Sequence, residues 1–212
     1  ISLIFKKGHR TLHSNYRPIF LTSVVSKILE KIIRHELLGH LVENNLAFKA
    51  QHGFVPAKSC LSNLLETLDF ITSSLVEGHC VDEIILDFAK AFDLVPHRRL
   101  VQKIKEYGVT DGMSNWFEDF LACRKQRVTI GEASSKWSDV LSGVPQGSVL
   151  GPLLFVIYIN DLPDKIENVT KLFADDSKII SVINGKLEVE KLQKDLDEVD
   201  YWCQTWDMKL NV

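Results

Sequence analysis

Three aspartates are the residues in this chain whose types and positions best suit chemistry. Asp175 and Asp176 are adjacent and lie between two short strand-like runs in the stretch 172–180, and Asp87 closes the apolar run 84–87. The flanking residues favour strands and the acidic pair favours a turn, so we predict a β-hairpin with carboxylates at its tip. Because an Asp-Asp pair is also ordinary turn chemistry, the hairpin alone does not define a site.

Asp87 is a candidate partner for the hairpin carboxylates. An ionised carboxylate at the end of a buried strand is costly to desolvate unless a cation or hydrogen bonds compensate for it. Carboxylate oxygens without His or Cys favour Mg2+ or Mn2+ over zinc. Two such ions about 3.5–4 Å apart can hold the attacking and leaving oxygens of an in-line phosphoryl transfer. The residues therefore indicate phosphoryl or nucleotidyl transfer if Asp87 and Asp175 meet in space, which their spacing alone does not establish.

A glycine-rich loop over residues 142–152 is the third candidate feature. Gly143, Gly147 and Gly151 have no side chains, so another backbone or a ligand could approach closely. The loop lacks the GxxxxGK[ST] pattern of a phosphate-binding P-loop. An ordinary loop before a buried helix is the alternative.

The composition predicts a globular protein with one large or two small domains. The chain has 212 residues, of which 45% are hydrophobic and 25% charged, and its formal net charge is -3. This charge counts against a simple basic nucleic-acid binder, although basic residues cluster locally. The longest apolar run, 149–159, is shorter than the roughly 18 residues of a membrane span. The four cysteines show no zinc or redox spacing, so we expect free, buried thiols.

Periodicity and capping residues locate the elements that must position these groups. Helices are predicted over residues 24–43, 59–76, 97–107, 113–123, 152–161 and 187–206. Strands are predicted over 2–5 and 80–88, and 126–130 is predicted to pair with 137–141. The first helix is expected to pack on a core through Ile28, Leu29, Ile32, Ile33, Leu37, Leu38 and Leu41. The apolar face predicted for the second helix consists of Leu61, Leu64, Leu65, Leu68 and Ile71. The irregular alternation predicts an α+β fold with a mostly antiparallel sheet.

Five stretches together resemble one family, the reverse transcriptase domain of non-LTR (LINE-like) retrotransposons. They occur in the family's order and cover nearly the whole chain: NYRPI at 15–19, QHGF at 51–54, LDFAKAFD at 86–93, GVPQGS with GP at 143–152, and FADD at 173–176. The resemblance implies a right-hand polymerase with fingers at 1–78 and a palm at 79–212. The palm would contain a finger insertion around 97–130 and a mainly antiparallel sheet, and the thumb would be absent because the chain is a C-terminally truncated fragment.

The resemblance also implies an RNA-directed DNA polymerase with two metal ions. Asp87, Asp175 and Asp176 would be catalytic, and the metal positions would be Asp87, Phe88 and Asp175. The ions would be Mg2+, with Mn2+ as an alternative. The 3'-hydroxyl of a DNA primer would attack the α-phosphate of a dNTP on an RNA template.

Five further positions are implied to bind the nucleotide. Phe92 would abut the sugar and exclude a 2'-hydroxyl, although a core aromatic is the alternative for this residue. Gln146 and Gly147 would lie beside the incoming nucleotide and template. Arg17 and Lys27 would contact the triphosphate.

Two other functions are compatible with these residues. One is a non-catalytic, palm-like module that binds RNA or protein, and the other is a different palm-type nucleotidyl enzyme such as a cyclase. The intact acids favour an enzyme, and Gln146 with the finger stretches favours the polymerase. The resemblance further implies an intracellular, nuclear location, no membrane, and association with the rest of a parent polyprotein, including a thumb and an endonuclease.

We expect the 212-residue chain alone to extend a primer poorly or not at all. The resemblance places a Lys of the next palm motif, together with the thumb, beyond Val212. Primer extension on an RNA template with Mg2+ and dNTPs measures this directly. Robust extension by the isolated chain would contradict the expectation.

Overall fold

The computed structural model describes residues 1–46 and 49–211, apart from the side chain of Ser14. The chain forms two compact units: Ile1–Leu46 with Val95–Leu154, and Ala47–Leu94 with Phe155–Val212. Neither unit is a single continuous segment. The division into fingers at 1–78 and palm at 79–212 stays a prediction.

Helices and strands alternate irregularly along the chain. The helices are α1 (Val24–Glu43), α2 (Cys60–Val76), α3 (Ala91–Leu94), α4 (His97–Glu106), α5 (Asp111–Leu121), α6 (Gly151–Ile159) and α7 (Lys186–Thr205). The strands are β1 (Ser2–Phe5), β2 (Tyr16–Ile19), β3 (Cys80–Asp87), β4 (Lys125–Gln126), β5 (Thr129–Ile130), β6 (Ala133–Ser134), β7 (Ser138–Asp139), β8 (Val169–Phe173) and β9 (Asp176–Ile183). Among the described residues, no helix is long and apolar enough to cross a membrane.

The sheet of the second unit carries the three aspartates. Its strand order is β3-β9-β8, and both pairings are antiparallel. Isolated bridges extend it on both sides: Gln51 pairs with Leu172 of β8, and Phe88 pairs with Leu210. The predicted mixed α+β fold with antiparallel sheets is confirmed.

The six predicted helices are confirmed to within about two residues at each end, the usual uncertainty of a helix boundary. The predicted pairing of 126–130 with 137–141 is only partly correct. Two nested two-residue ladders form instead, β4 with β7 and β5 with β6. A pattern of apolar residues cannot reveal that the ladder breaks between them, because strand formation depends on packing against neighbours that the pattern does not show.

The predicted apolar face of α2 is largely exposed. Four of its leucines are exposed: Leu61, Leu64, Leu65 and Leu68. The helix instead buries Asn63, Thr67 and Ser74. Asn63 Nδ2 donates a hydrogen bond of 3.0 Å to the carbonyl of Leu172, so the polar face of α2 meets a polar backbone group of β8. The corresponding prediction for α1 is half correct.

On α1, Ile33, Leu37, Leu38 and Leu41 are buried, whereas Ile28, Leu29 and Ile32 are exposed.

The prediction of free, buried cysteines is only partly correct. All four are free, but only Cys203 is buried; Cys60, Cys80 and Cys123 are exposed. Burial, with a smaller contribution from the charge of Asp200, raises the pKa of the Cys203 thiol to about 11. Cys203 is therefore an unreactive thiol at neutral pH.

A buried carboxylate fixes the start of α6 in the first unit. Glu30 of α1 is 1% exposed, and its Oε2 accepts hydrogen bonds from the amides of Val149 at 2.7 Å and Leu150 at 3.1 Å. The amides before a helix have no partner within it, and they favour a negative charge. Glu30 therefore ties α1 to the end of the glycine-rich loop.

Replacing Glu30 by Ala should lower the free energy of unfolding by about 2–4 kcal/mol, because two buried amides lose their acceptor. Glu36→Ala, at an exposed position of the same helix, is the control and should change stability by less than about 0.5 kcal/mol. Urea denaturation followed by circular dichroism measures both. Equal losses in the two variants would show that Glu30 does not anchor α6.

Candidate active site

Asp87 and Asp176 lie directly opposite each other at one end of the sheet. The register of β3 and β9 runs from Cys80 with Ile183 to Asp87 with Asp176, so these two residues form its last pair. Directly paired residues have Cα atoms about 4.5–5.5 Å apart and place their side chains on the same face. Both are exposed. The structure therefore brings together the strand carboxylate and one hairpin carboxylate.

Asp175 lies in the turn that joins β8 to β9. Phe173 pairs with Asp176, so Ala174 and Asp175 form a two-residue loop. This confirms the predicted hairpin, except that Asp176 is the first residue of β9 rather than part of the turn. Ala174 has a left-handed φ of 57°, a conformation that costs a non-glycine residue about 1–2 kcal/mol.

A buried amide holds this turn. Gln51 Oε1 accepts hydrogen bonds from the amides of Ala174 at 2.7 Å and Gly53 at 2.8 Å. Gln51 Nε2 donates to the carbonyl of Ala174 at 3.4 Å. Both backbone polar groups of Ala174 therefore contact one side chain.

A second amide contacts Asp87 from the other edge of the sheet. Asn211 Nδ2 donates a hydrogen bond of 2.8 Å to Asp87 Oδ2, and the Asn211 amide donates to the Asp87 carbonyl at 2.8 Å. The Ala89 amide donates to the Lys209 carbonyl at 2.8 Å and completes this bridge. The neutral amide of Asn211 thus orients the side chain of Asp87. This bond is made to Oδ2 and does not involve Oδ1.

The donor set suits a hard divalent cation. Like charges directly opposite on neighbouring strands repel each other. The two lysines on the same face do not neutralise them, because Lys178 Nζ lies 3.3 Å from Glu83 and Lys171 pairs with Glu66. Phe88 is buried and could offer only its main-chain carbonyl.

The three aspartates do not form a closed metal centre. Within residues 1–46 and 49–211, no group of three or more His, Cys, Asp or Glu side chains is gathered closely enough to hold an ion. The carboxylates therefore fit Mg2+ or Mn2+ by their chemistry and by the pairing of Asp87 with Asp176. The predicted metal positions stay predictions.

Phe92 packs in an aromatic cluster of the same unit. Its ring stacks on Phe155 with centroids 4.5 Å apart and meets the ring of Phe54 edge-on at 6.5 Å. Phe92 is half-buried. Packing thus accounts for part of its surface, and the contact with a sugar stays a prediction.

The glycine-rich loop lies in the first unit and is shaped by close backbone contacts. The Phe20 amide donates to the Gln146 carbonyl at 2.8 Å. A Cβ at Gly147, whose φ is 101°, would lie 2.7 Å from the Phe20 carbonyl oxygen. A Cβ at Gly151 would lie 2.4 Å from the Pro145 carbonyl oxygen. Close approach of another backbone, one of the two predicted alternatives, is confirmed at these two glycines.

Two basic side chains anchor the start of this loop. His97 Nε2 lies 3.0 Å from the Gly143 carbonyl oxygen and 3.0 Å from a guanidinium nitrogen of Arg124, which also donates to that carbonyl. Burial lowers the pKa of His97 below its ordinary value, and the positive charge of Arg124 lowers it further, while contact with the Gly143 carbonyl acts in the opposite direction. His97 is therefore held neutral at pH 7.

The remaining predicted nucleotide contacts also lie in the first unit. Arg17 is an exposed residue of β2, and Lys27 is an exposed residue of α1. Gln146 is half-buried and Gly147 is exposed. Nothing else in the structure tests the roles predicted for these four residues.

The fold is similar to that of solved telomerases. An apo telomerase from Candida tropicalis, truncated from its C-terminal domain, matches with a TM-score of 0.55 and 11% identity, over 88% of this chain and 39% of that one. A telomerase from Candida albicans also gives a TM-score of 0.55, with 12% identity over 88% of this chain and 33% of that one. At this identity the likeness shows the fold alone.

Sequence comparison then establishes the family. The family model described as "Reverse transcriptase (RNA-dependent DNA polymerase)" matches residues 4–212. The RNA-directed DNA polymerase from mobile element jockey of Drosophila funebris is 28% identical over 221 residues, covering all of this chain and 24% of that protein. The Pol polyprotein from type-1 retrotransposable element R2 of Popillia japonica is 29% identical over 162 residues, covering 76% and 22%.

The chain belongs to the reverse transcriptase family, and it is related to the reverse transcriptases of non-LTR retrotransposons. It spans about a quarter of the length of the curated relatives it matches. The resemblance inferred from the five sequence stretches is confirmed.

Sequence reasoning missed two residues that contact the carboxylate end of the sheet, Gln51 and Asn211. Gln51 lies in the QHGF stretch, and Asn211 directly follows Leu210, which bridges to Phe88. The position of Gln51, a polar residue inside a recognised motif, was the one sequence signal that could have indicated its contact with the site. No spacing rule places either residue beside an aspartate more than 100 positions away, as the contacts of Gln51 with Ala174 and of Asn211 with Asp87 require.

The lowered pKa of His97 predicts a pH dependence of stability. The unfolded chain takes up a proton at His97 below about pH 6.5, before the folded chain does, so stability falls as pH drops from 7.5 toward 5.5. His52, whose pKa is also lowered by burial, contributes in the same direction. The variant His97→Gln should show a smaller fall than the parent in urea denaturation at each pH.

The matched control is His9→Gln at an exposed position, which should retain the full fall. Parallel profiles for His97→Gln and the parent would contradict a half-buried, neutral His97.

Proposed function

We propose that this chain is the catalytic region of an RNA-directed DNA polymerase that extends a DNA primer on an RNA template. The observation that carries the proposal is the pairing of Asp87 with Asp176, with Asp175 in the adjoining turn. Three carboxylates at one end of a sheet, in a chain of the reverse transcriptase family, match that chemistry. In this proposal residues 1–78 are fingers and 79–212 the palm of a right-hand polymerase, with a finger insertion around 97–130.

Asp87, Asp175 and the main-chain carbonyl of Phe88 would hold two Mg2+ ions, or Mn2+ in their place. Such ions, when bound, would lower the pKa of the primer hydroxyl and neutralise charge on the leaving pyrophosphate. Asp176, opposite Asp87, adds negative charge to the same face. Asn211 fixes the orientation of the Asp87 carboxylate by donating to Oδ2.

Five residues would select and orient the nucleotide. Phe92, supported by the stacked ring of Phe155, would exclude a 2'-hydroxyl and so favour dNTPs. Gln146 and Gly147 would lie beside the incoming nucleotide and template. Arg17 and Lys27, both exposed, would donate to the triphosphate.

The substrates and partners follow from the same proposal. They are an RNA template, a DNA primer, dNTPs, and a thumb and endonuclease belonging to a longer polyprotein; the R2 relative is by name a Pol polyprotein. The place of action would be the nucleus, where chromosomal DNA is available. A non-catalytic RNA- or protein-binding module is the competing function, because the aspartates are not gathered into a three-ligand centre within the described residues.

Replacing Asp175 by Asn should abolish Mg2+-dependent primer extension in a chain long enough to include the thumb. Removing a metal-ligating carboxylate costs several kcal/mol of barrier, or roughly a thousandfold in rate. Incorporation of dNTPs on an RNA template measures the loss, and circular dichroism checks the fold.

The matched control is Asp82→Asn, because Asp82 is an exposed carboxylate on the same strand as Asp87. It should keep activity within about threefold. If Asp175→Asn stays within about tenfold of the parent, which is only about 1.4 kcal/mol, then Asp175 is not a metal ligand. RNA binding without any extension by the parent would favour the non-catalytic module.

A further inference from the structure

Gln51 lies against the turn that carries Asp175. Gln51 is 1% exposed and forms a parallel bridge with Leu172. Leu172 precedes Ala174 by two positions. The Leu172 amide donates to the Ala50 carbonyl at 2.9 Å, and the His52 amide donates to the Leu172 carbonyl at 2.8 Å. The backbone on each side of Gln51 is thereby fixed to β8.

The side chain of Gln51 uses both ends of its amide on this turn. Oε1 accepts from the amides of Ala174 and Gly53, and Nε2 donates to the Ala174 carbonyl. Two of the three bonds are 2.8 Å or shorter. Buried polar groups of the main chain need partners, so removing this side chain leaves two amides without their acceptor.

Gly53 lets the loop approach the turn closely enough for these bonds. A Cβ at Gly53 would lie 2.5 Å from the amide nitrogen of Ala174 and 3.1 Å from Gln51 Oε1. Any side chain at this position would therefore push the loop away from the turn. The contact between the loop and the turn is consequently a direct backbone contact.

Ala174 needs such support because its φ of 57° is disfavoured for an L-residue with a side chain. In two-residue hairpin turns this region is normally taken by Gly or Asn. The bonds from Gln51 favour the conformation in which both the amide and the carbonyl of Ala174 face the loop. The direction in which the chain leaves Ala174 sets where Asp175 lies relative to β3.

We propose that Gln51 is a positioning residue for the active site, which holds Ala174 in its left-handed conformation and so directs Asp175 toward the end of β3. The proposal rests on the proposed polymerase function. Gln51 does not touch substrate or metal in this proposal; it acts through the turn. A neutral amide performs this role without cancelling the negative charge that a cation requires.

The variant Gln51→Met removes the hydrogen bonds while keeping the length of the side chain. Its matched control is Asn63→Leu, because Asn63 donates a buried hydrogen bond to the Leu172 carbonyl but does not contact Ala174. Both variants should lower stability in urea denaturation. In a chain long enough to include the thumb, only Gln51→Met should lower kcat, by about thirtyfold or more, with KM for the dNTP changed by less than about threefold.

A second readout does not depend on catalysis. Amide hydrogen exchange, followed by NMR, should show at least tenfold faster exchange of the Ala174 amide in Gln51→Met than in Asn63→Leu. The affinity for Mn2+ alone, measured from the EPR signal of the free ion, should weaken about tenfold in Gln51→Met and remain unchanged in Asn63→Leu.

A double mutant identifies the turn as the route of the effect. Glycine adopts a positive φ without strain, so Ala174→Gly should make the turn less dependent on Gln51. The loss of kcat caused by Gln51→Met should shrink to about fivefold or less in the Ala174→Gly background. An undiminished loss, or equal losses of kcat in Gln51→Met and Asn63→Leu, would overturn the proposal.

The activities of the parent and of Asp175→Asn distinguish a failure of the polymerase proposal from a failure of the Gln51 proposal. A parent chain that includes the thumb but neither binds Mn2+ nor extends a primer would refute the polymerase proposal and with it the catalytic purpose of Gln51. A parent that extends a primer, combined with unchanged exchange at Ala174 in Gln51→Met, would refute the Gln51 proposal alone.

Discussion

Two like charges placed opposite each other across neighbouring strands are the constraint on which this structure depends. Asp87 and Asp176 form the last pair of the β3–β9 ladder, and such a pair is destabilising unless something compensates for it. The lysines of the same face are already paired with Glu83 and Glu66. The fold thus preserves a concentration of negative charge at one end of the sheet, and a divalent cation with substrate phosphates is the partner that would make it favourable.

The two edges of the sheet support this end in the same physical manner. A short bridge brings Gln51 alongside β8, and another brings Asn211 alongside β3. Each contributes a neutral amide, one to the turn and one to Asp87. Lys or Arg at either position would stabilise the carboxylates directly, but would also neutralise the charge that attracts a cation. Amides orient the site without removing its charge.

In the first unit, polar side chains that are buried or half-buried hold the backbone in a related way. Glu30 caps the amides before α6, while His97 and Arg124 hold the carbonyl of Gly143. Close backbone contacts at Gly147 and Gly151 then leave the loop little freedom. The loop is therefore shaped by its own backbone and its anchors, and an exposed Gly147 remains at its surface.

The sequence by itself determined the elements and the family. Periodicity and caps located the helices, because these signals act within a few residues of each other, as at Ser23 and Ser59, which cap α1 and α2 in the structure. The hairpin at Asp175 and the five ordered stretches were equally readable. Only the tertiary structure decided which face of α2 is buried, since Asn63 finds a backbone carbonyl that is distant in sequence. It likewise decided that Asp87 faces Asp176 and that Gln51 holds Ala174, because strand register and buried hydrogen bonds join residues whose separation no local pattern encodes.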